Sequence, residues 1–179
     1  MPESSLKDTE YISEFNNQIK LVDVSFKYSN SNENIISKVN FDIDKNDIYG
    51  IVGSSGSGKT TLVNLILGLL KPTKGGIYID NNKIIDSSVL KNIVEYVPQS
   101  SLILDDTLFN NILFGNDKNN FDFNWMKECI NYAKLEELVK SLQNGIDTVL
   151  GEDGSKISGG QKQRIGLARA LYSNPKIIV

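Results

Sequence analysis

The chain has 179 residues, which fits one domain of ordinary size, and its 40% of hydrophobic residues is enough to build a core. Its net charge of −3 provides no general basic surface, so nucleic acid is not expected as a partner. The absence of histidine removes the commonest transition-metal ligand and the usual base of Ser-His and Cys-His dyads. The single cysteine, Cys129, cannot form an internal disulfide, and we interpret it as a packing residue.

Residues 1–18 are polar and show no sustained hydrophobic period, so we interpret them as a linker or tail. They lack the basic and apolar character of a leader peptide. The most apolar stretch, Leu62–Leu70, has about half of the roughly 20 residues that a membrane-spanning helix needs. We therefore predict that this chain neither spans a membrane nor is exported.

The next segment, residues 19–43, predicts antiparallel strands. Apolar residues alternate on both sides of a turn-rich SNSNEN segment: Val22, Val24 and Phe26 before it, and Val39, Phe41 and Ile43 after it. An apolar run over 48–52 predicts a buried strand that leads into a glycine-rich segment. The helix predicted after that segment carries Leu62, Ile66, Leu69 and Leu70 at helical spacing before Pro72.

Two further short strands are predicted at IYID and IVEYV, and the pattern becomes helical after Pro98. The predicted helices run from a cap at Asp106 or Thr107 to Gly115, from about Asn124 to Asn144 before Gly145, and through QKQRIGLARALYS to Asn174-Pro175. The middle helix has an apolar stripe formed by Trp125, Cys129, Ala133, Leu138 and Leu142. The last four residues, KIIV, predict the beginning of another buried strand.

The segment Gly53–Thr60 matches the phosphate-binding pattern G-x-x-x-x-G-K-[ST] and lies between a predicted strand and a predicted helix. Its glycines allow backbone amides to turn toward a phosphate, and the following helix directs its positive end to the same place. Lys59 would bridge the β- and γ-phosphates of a nucleotide, and the Thr60 hydroxyl would bind Mg²⁺. The alternative, a glycine-serine turn that happens to precede a lysine, is rare at a strand-to-helix junction. We assign nucleotide binding to Gly53, Ser54, Ser55, Gly56, Ser57, Gly58, Lys59, Thr60 and Thr61.

A second candidate anion site lies at Ser158, Gly159, Gly160 and Gln161, at the start of a predicted helix. A serine hydroxyl and two glycines at this position offer donors that a phosphate can approach closely. An ordinary serine cap followed by flexible glycines is the alternative, and it is favoured for an isolated SGG sequence.

Taken in order, these motifs resemble the nucleotide-binding domain of an ABC transporter. The loop at 53–60 resembles the Walker A motif, and ISGGQKQR at 157–164 resembles the signature motif, with Ile157 where leucine is more usual. Val97-Pro98-Gln99 resembles the Q-loop, and VSFKY, ending in Tyr28, resembles the strand with the A-loop aromatic. The similarity runs from about residue 19 to 179. It implies an α/β fold with a RecA-like P-loop NTPase core, an N-terminal antiparallel β subdomain and a helical subdomain at about 99–158.

The resemblance also implies a role for each matching residue. Tyr28 would stack on the adenine of ATP, although an aromatic that only fills the core remains the alternative for it. Gln99 would offer its amide oxygen to Mg²⁺ or to the attacking water, and we place it with Lys59 in catalysis. The signature residues 158–161 would contact ATP held by a second nucleotide-binding domain in a head-to-tail dimer.

The segment GEDG at 151–154 resembles the part of exporters that touches the membrane domain. It implies an exporter ATPase on the cytoplasmic face of a membrane, the bacterial inner membrane, with a transmembrane domain as partner. A solvated acidic turn is the alternative for this segment. Two other functions stay open, a soluble ABC-type ATPase acting on DNA or ribosomes and a non-catalytic nucleotide-binding fragment. The cargo is left open among lipid, glycolipid, peptide and drug.

The KIIV segment resembles the beginning of the family's Walker B strand, but the sequence stops before that strand's aspartate and the glutamate after it. The family's histidine switch is missing as well. We therefore expect a C-terminally truncated domain that binds ATP and Mg²⁺ but hydrolyses ATP poorly, because phosphoryl transfer relies on those positioned groups.

Overall fold

The computed structural model describes residues 14–84, 87–90, 93–117 and 120–179, the side chains of Ser87 and Val89 excepted. The chain divides into two compact units, Met1–Val94 and Glu95–Val179. Most of the predicted linker, residues 1–13, lies outside the described residues. Within the ranges that the structure describes, every helix is too short or too polar to cross a membrane.

The first unit contains a four-stranded antiparallel sheet with the strand order β2-β1-β3-β4. Its strands are β1 (Gln18–Phe26), β2 (Ile36–Asp44), β3 (Lys74–Ile79) and β4 (Asn82–Lys83). Leu21 in the central strand β1 lies opposite Phe41 on one side and Ile77 on the other. The antiparallel strands predicted for residues 19–43 and the strand predicted at IYID are confirmed.

The alternation predicted for β1 is wrong at one point. The register shifts between Leu21 and Val24, and Asp23 adopts a left-handed backbone with φ 48°. This irregularity places Leu21 and Val24 on the buried side, whereas Val22 is only half-buried. A bulge inserts an extra residue and so reverses the two-residue period of the side chains beyond it.

Helix α1 (Lys59–Ile66) begins directly after Gly58, where the helix following the glycine-rich segment was predicted. It is shorter than predicted, because Leu67 caps its C-terminus and Gly68 has φ 67°. Leu65 and Ile66 are buried, whereas Leu69, part of the predicted apolar stripe, is exposed.

The buried strand predicted at 48–52 is also wrong, since these residues form no strand. Ile48 is 100% exposed and Val52 is 92% exposed. The apolar run has the composition of a strand, but a strand also needs a hydrogen-bonded neighbour. No strand in the part of the chain that the structure describes pairs with this segment.

The second unit is largely helical. Its helices are α2 (Leu108–Leu113), α3 (Phe123–Tyr132), α4 (Glu136–Ser141) and α5 (Gly159–Tyr172). Helix α5 packs against α2 and α3, and the fully buried residues of this core include Leu108, Ile112, Met126, Leu135, Leu150 and Ile165. The two short strands β5 (Val94–Glu95) and β6 (Ile177–Ile178) pair with each other. The KIIV segment therefore forms a strand as predicted, although Ile178 is exposed.

The long helix predicted at about 124–144 is two helices, α3 and α4. Lys134, which lies between them, adopts φ 56°, a left-handed conformation that ends an α-helix. Cys129 and Ala133 from the predicted apolar stripe are buried, and so is Leu138. Burial, with the nearby Glu128 carboxylate, raises the pKa of the Cys129 thiol to about 11, so the thiol stays protonated at neutral pH.

Candidate functional site

The glycine-rich loop is closed by the side chain of Lys59. Its ammonium donates hydrogen bonds to the Gly53 carbonyl at 2.9 Å and to the Ser54 carbonyl at 2.8 Å. The lysine therefore bends back over the loop that precedes its own helix. These acceptors are neutral carbonyl oxygens, so an anion that enters the loop can compete for the charge of Lys59 without breaking an ion pair.

Glycine is required at several points of the loop. A Cβ at Gly53 would lie 2.6 Å from the Ser57 Oγ, and Gly56 has φ 79°. Gly58 has φ 90°, and a Cβ there would meet Ile35 at 3.0 Å. The loop is thus tight in backbone conformation and in space, as expected for a segment that turns its amides toward one point.

The first turn of α1 is open to an anion. Its N-cap is Gly58, which has no side chain and makes no side-chain capping hydrogen bond. The first amides of a helix have no partner within the helix, and the helix dipole adds positive potential at this end. Thr60 is exposed in this turn, whereas Thr61 is buried.

Tyr28 lies two residues beyond the end of β1 and contacts the first turn of α1. Its hydroxyl lies 3.3 Å from the Thr61 hydroxyl. The Tyr28 ring also meets the Phe26 ring edge to face, with centroids 4.9 Å apart. Tyr28 is 39% exposed, so part of its surface lies outside the core. The structure therefore brings the candidate adenine-stacking residue beside the candidate phosphate loop within the first unit.

The other predicted site residues lie in the second unit. Gln99 is exposed and stands in a bend after β5. Ser158 is the N-cap of α5 and forms a capping box with Gln161. The Ser158 amide donates to the Gln161 Oε1 at 2.8 Å, and the Gln161 amide donates to the Ser158 Oγ at 3.3 Å.

Gly159 and Gly160 follow that cap with open space around them. A Cβ at either position would meet nothing within 4 Å among the described residues, apart from its chain neighbours and its own helix backbone. Packing in the described part of the chain therefore does not explain the two glycines, whereas the cap explains the serine and the glutamine.

The acidic segment at 151–154 forms a short 3₁₀ turn, Glu152–Gly154. The Asp153 carboxylate forms an ion pair with the Lys162 ammonium of α5 at 3.3 Å, and Gly154 is buried against Ile103 and Ile157. Glu152 is exposed. The segment is thus tied to the helix that begins with the signature residues, and one of its two acids is already paired.

The sequence analysis missed Arg169, which connects α5 to two other segments of the second unit. Its guanidinium donates to the Asn111 carbonyl and to the Leu102 carbonyl, both at 2.9 Å. It also lies over the Phe114 ring, 5.0 Å from the centroid. Burial lowers the pKa of Arg169 from its usual value, yet an arginine stays charged at neutral pH. The sequence feature that could have indicated this role is a basic residue, Arg169, between the apolar residues of ARAL.

A family model described as ABC transporter matches residues 36–179. The chain belongs to the ABC transporter family. A Rickettsia typhi relative whose name joins an export ATP-binding part and a permease part is 41% identical over 165 residues, which cover 90% of this chain and 28% of that protein. The ATP-dependent lipid A-core flippase of Ralstonia nicotianae is 32% identical over 173 residues, covering 95% of this chain and 29% of the flippase.

Among solved structures, a bacterial Atm1-family ABC exporter with ATP bound is similar, with a TM-score of 0.84 and 29% identity. The match covers 97% of this chain and 30% of the exporter chain. The predicted α/β P-loop fold of an ABC ATP-binding domain is thereby confirmed. The chain spans less than a third of the length of the relatives it matches.

Proposed function

We propose that this chain is the ATP-binding part of an ABC exporter and that the complete exporter couples ATP binding and hydrolysis to transport across a membrane. The observation that carries the proposal is the loop at 53–58, which Lys59 spans and which leads into an uncapped helix start. Such an arrangement of amides and one mobile positive charge fits the phosphates of a nucleotide. The aromatic ring of Tyr28 beside it supplies a surface for the base.

Lys59 would act on the phosphates by moving its charge. With the loop closed, its ammonium is bonded to two carbonyls; with a triphosphate present, it would turn to the β- and γ-phosphate oxygens. Charge placed there stabilises the transition state of phosphoryl transfer, which is why we assign Lys59 a catalytic part.

The residues present also fit Mg²⁺. Among the described ranges, no three or more His, Cys, Asp and Glu side chains converge on a possible metal site. The Thr60 hydroxyl is nevertheless exposed in the first turn of α1. Mg²⁺ commonly takes few protein ligands and completes its shell with phosphate and water oxygens. The hydroxyl of Thr60 would hold the ion, which neutralises phosphate charge when bound.

The signature residues would serve a second copy. Ser158 and Gln161 fix the beginning of α5, and the space over Gly159 and Gly160 is open to a partner. We assign residues 158–161 to ATP bound by a second nucleotide-binding domain in a head-to-tail dimer. The names of relatives that combine ATP-binding and permease parts support a transmembrane domain as the other partner. With that domain, the chain would lie on the cytoplasmic face of a membrane, the bacterial inner membrane.

Calorimetric titration of the full chain with ATP and Mg²⁺ tests the proposal. Lys59→Ala should weaken binding at least about 10-fold, which corresponds to about 1.4 kcal/mol, and should leave the urea midpoint of unfolding unchanged. Lys71→Ala is the control, since Lys71 is an exposed lysine in the same unit. Unchanged affinity in Lys59→Ala, or equal losses in both variants, would show that the loop does not bind the nucleotide.

A further inference from the structure

We infer that Thr61 is a positioning residue for the adenine ring, because its hydroxyl holds Tyr28 in the orientation needed for stacking. The inference rests on the proposed function and adds to it a role for Thr61 in orienting Tyr28. Its basis is the 3.3 Å contact between the Tyr28 and Thr61 hydroxyls, which joins residues 33 positions apart in the chain.

Thr61 is a rigid point of attachment. It lies in the first turn of α1 and is only 7% exposed. A β-branched side chain in a helix has few side-chain rotamers, and burial restricts it further. The oxygen that Tyr28 meets is therefore fixed in position relative to the loop that ends at Gly58.

Tyr28 by itself is not fixed in this way. It lies beyond the end of β1, outside any regular element, and keeps more than a third of its surface exposed. Its side chain meets the Phe26 ring at its side, 4.9 Å away at an interplanar angle of 86°, and Thr61 at its hydroxyl. If the Thr61 contact is lost, the hydroxyl end of the ring loses the hydrogen bond that orients it.

The chemistry of the two hydroxyls allows this contact to persist when nucleotide is bound. A hydroxyl has one donor hydrogen and two acceptor lone pairs. If Tyr28 donates to the Thr61 Oγ1, the hydrogen of Thr61 stays available for another acceptor. A ring held in place before binding loses less rotational freedom when a base stacks on it. We therefore expect the Thr61 contact to increase the affinity for ATP.

Two other roles for Thr61 make different predictions. If its hydroxyl only attaches α1 to the end of β1, its loss lowers the stability of the chain without discriminating between ligands. If it only binds a phosphate, its loss weakens every ligand with the same phosphates by the same factor. A positioning role alone predicts a loss that depends on the base.

The experiment compares ATP with inorganic triphosphate, both with Mg²⁺, by calorimetry on the full chain. The measured quantity is the ratio of the two affinities. Thr61→Val removes the hydroxyl and keeps the shape of the side chain, and Tyr28→Phe removes the hydroxyl and keeps the ring. Each should lower the ratio by about 3- to 10-fold, because the substitution weakens base stacking on the aromatic ring without abolishing it. The double variant should lower it no further, since both substitutions break one contact.

Two controls accompany these variants. Thr61→Ser retains the hydroxyl and should retain the ratio. Tyr49→Phe removes a hydroxyl from a tyrosine of equal exposure, 39%, which accepts a hydrogen bond from the Asp44 amide and meets the Phe41 ring edge to face. The affinity ratio should not change in this variant.

An unchanged ratio in Thr61→Val would overturn the positioning role, whether the two affinities fall together or stay the same. Additive losses in the double variant would overturn it as well. In either case the proposed function stands if the unmodified chain binds both ligands. If the unmodified chain binds neither ATP nor triphosphate, the proposed function fails and the inference fails with it.

Discussion

Asn111 and Leu104 exchange two hydrogen bonds in the second unit. The Leu104 amide donates to the Asn111 Oδ1 at 2.8 Å, and the Asn111 Nδ2 donates to the Leu104 carbonyl at 3.1 Å. The same amide group also donates to the carbonyls of Asp106 and Thr107. Asn111 is fully buried in α2. Its side chain hydrogen-bonds the backbone of the segment after Gln99, as a neighbouring β-strand would do.

Asn111→Leu should lower the free energy of unfolding by about 2–4 kcal/mol, because the Leu104 amide loses the Asn111 Oδ1 as its acceptor and the carbonyls around the buried Asn111 side chain lose its amide hydrogens. Urea denaturation followed by circular dichroism measures this loss. Asn110→Ala is the control: Asn110 is half-buried and its side chain donates one hydrogen bond, to Asp106, so the loss should be near 1 kcal/mol or less, about the value of one hydrogen bond. A loss in Asn111→Leu no larger than that of the control would contradict this account.

Gly166 lies in α5 where the helix passes Ser101. A Cβ at Gly166 would lie 2.9 Å from the Ser101 Cβ and closer still to its Oγ. Gly166→Val should therefore destabilise the chain by about 1–3 kcal/mol, even though valine has the better helix propensity. Thermal unfolding of the purified variant measures the effect.

Ser101→Gly provides the test that this loss is steric. It removes the side chain that the valine would meet, so it should restore most of the stability of Gly166→Val. Ser101 is buried, and its Oγ has no hydrogen-bond partner within the described residues, so its removal breaks no hydrogen bond that the structure records. Failure of Ser101→Gly to restore stability would mean that the cost of valine arises elsewhere.

Asp80 holds the segment that enters β1. Its carboxylate accepts hydrogen bonds from the amides of Asn16 and Asn17 at 2.8 Å and of Gln18 at 3.0 Å. Burial alone would raise the pKa of Asp80, but these three amides and the charge of Lys45 outweigh it and hold the pKa below 3.8. The carboxylate therefore contributes stability when ionised.

Because the pKa of Asp80 is lower in the folded chain than in the unfolded one, this contribution is complete above the unfolded value of 3.8. It is lost as the pH falls through the lower, folded pKa. Asp80→Asn should accordingly be less stable than the unmodified chain at pH 7, by about 1 kcal/mol or less because the group is well solvated, and the difference should shrink below about pH 4.

Hydrogen exchange gives a local measurement of the same effect, since the amides of Asn16, Asn17 and Gln18 should lose protection in Asp80→Asn at pH 7. Asp42→Asn is the control, because Asp42 lies on the same sheet and its carboxylate forms an exposed ion pair with Lys20, at 3.9 Å. Equal protection of the three amides in Asp80→Asn and Asp42→Asn would rule out the role of the Asp80 carboxylate.

The features predicted well from the sequence depend on neighbours within a few residues. The start of α1 after Gly58 and the caps at Thr107 and Ser158 are set by glycine conformation and by hydroxyls that bond amides three positions on. The left-handed residues that break the patterns, Asp23 and Lys134, were missed because neither is a glycine.

Contacts between distant parts of the chain were missed for a different reason. The Asp80 carboxylate meets amides 62 to 64 positions away, and Tyr28 meets Thr61 across 33 positions. No local sequence pattern predicts such a contact, because each of the two residues taken alone fits an ordinary turn or helix. The strand predicted at 48–52 was wrong for the same reason. The hydrophobic composition of the segment is typical of a strand, but its pairing depends on distant parts of the chain.

That exposed segment has a practical consequence for work with this chain. Four of the five residues from Ile48 to Val52 carry large hydrophobic side chains that are exposed, and the backbone of this segment lies outside any sheet. Exposed hydrophobic segments with an unpaired backbone favour aggregation between chains. We expect the upper concentration at which the chain remains monodisperse to be set by these residues and not by its net charge.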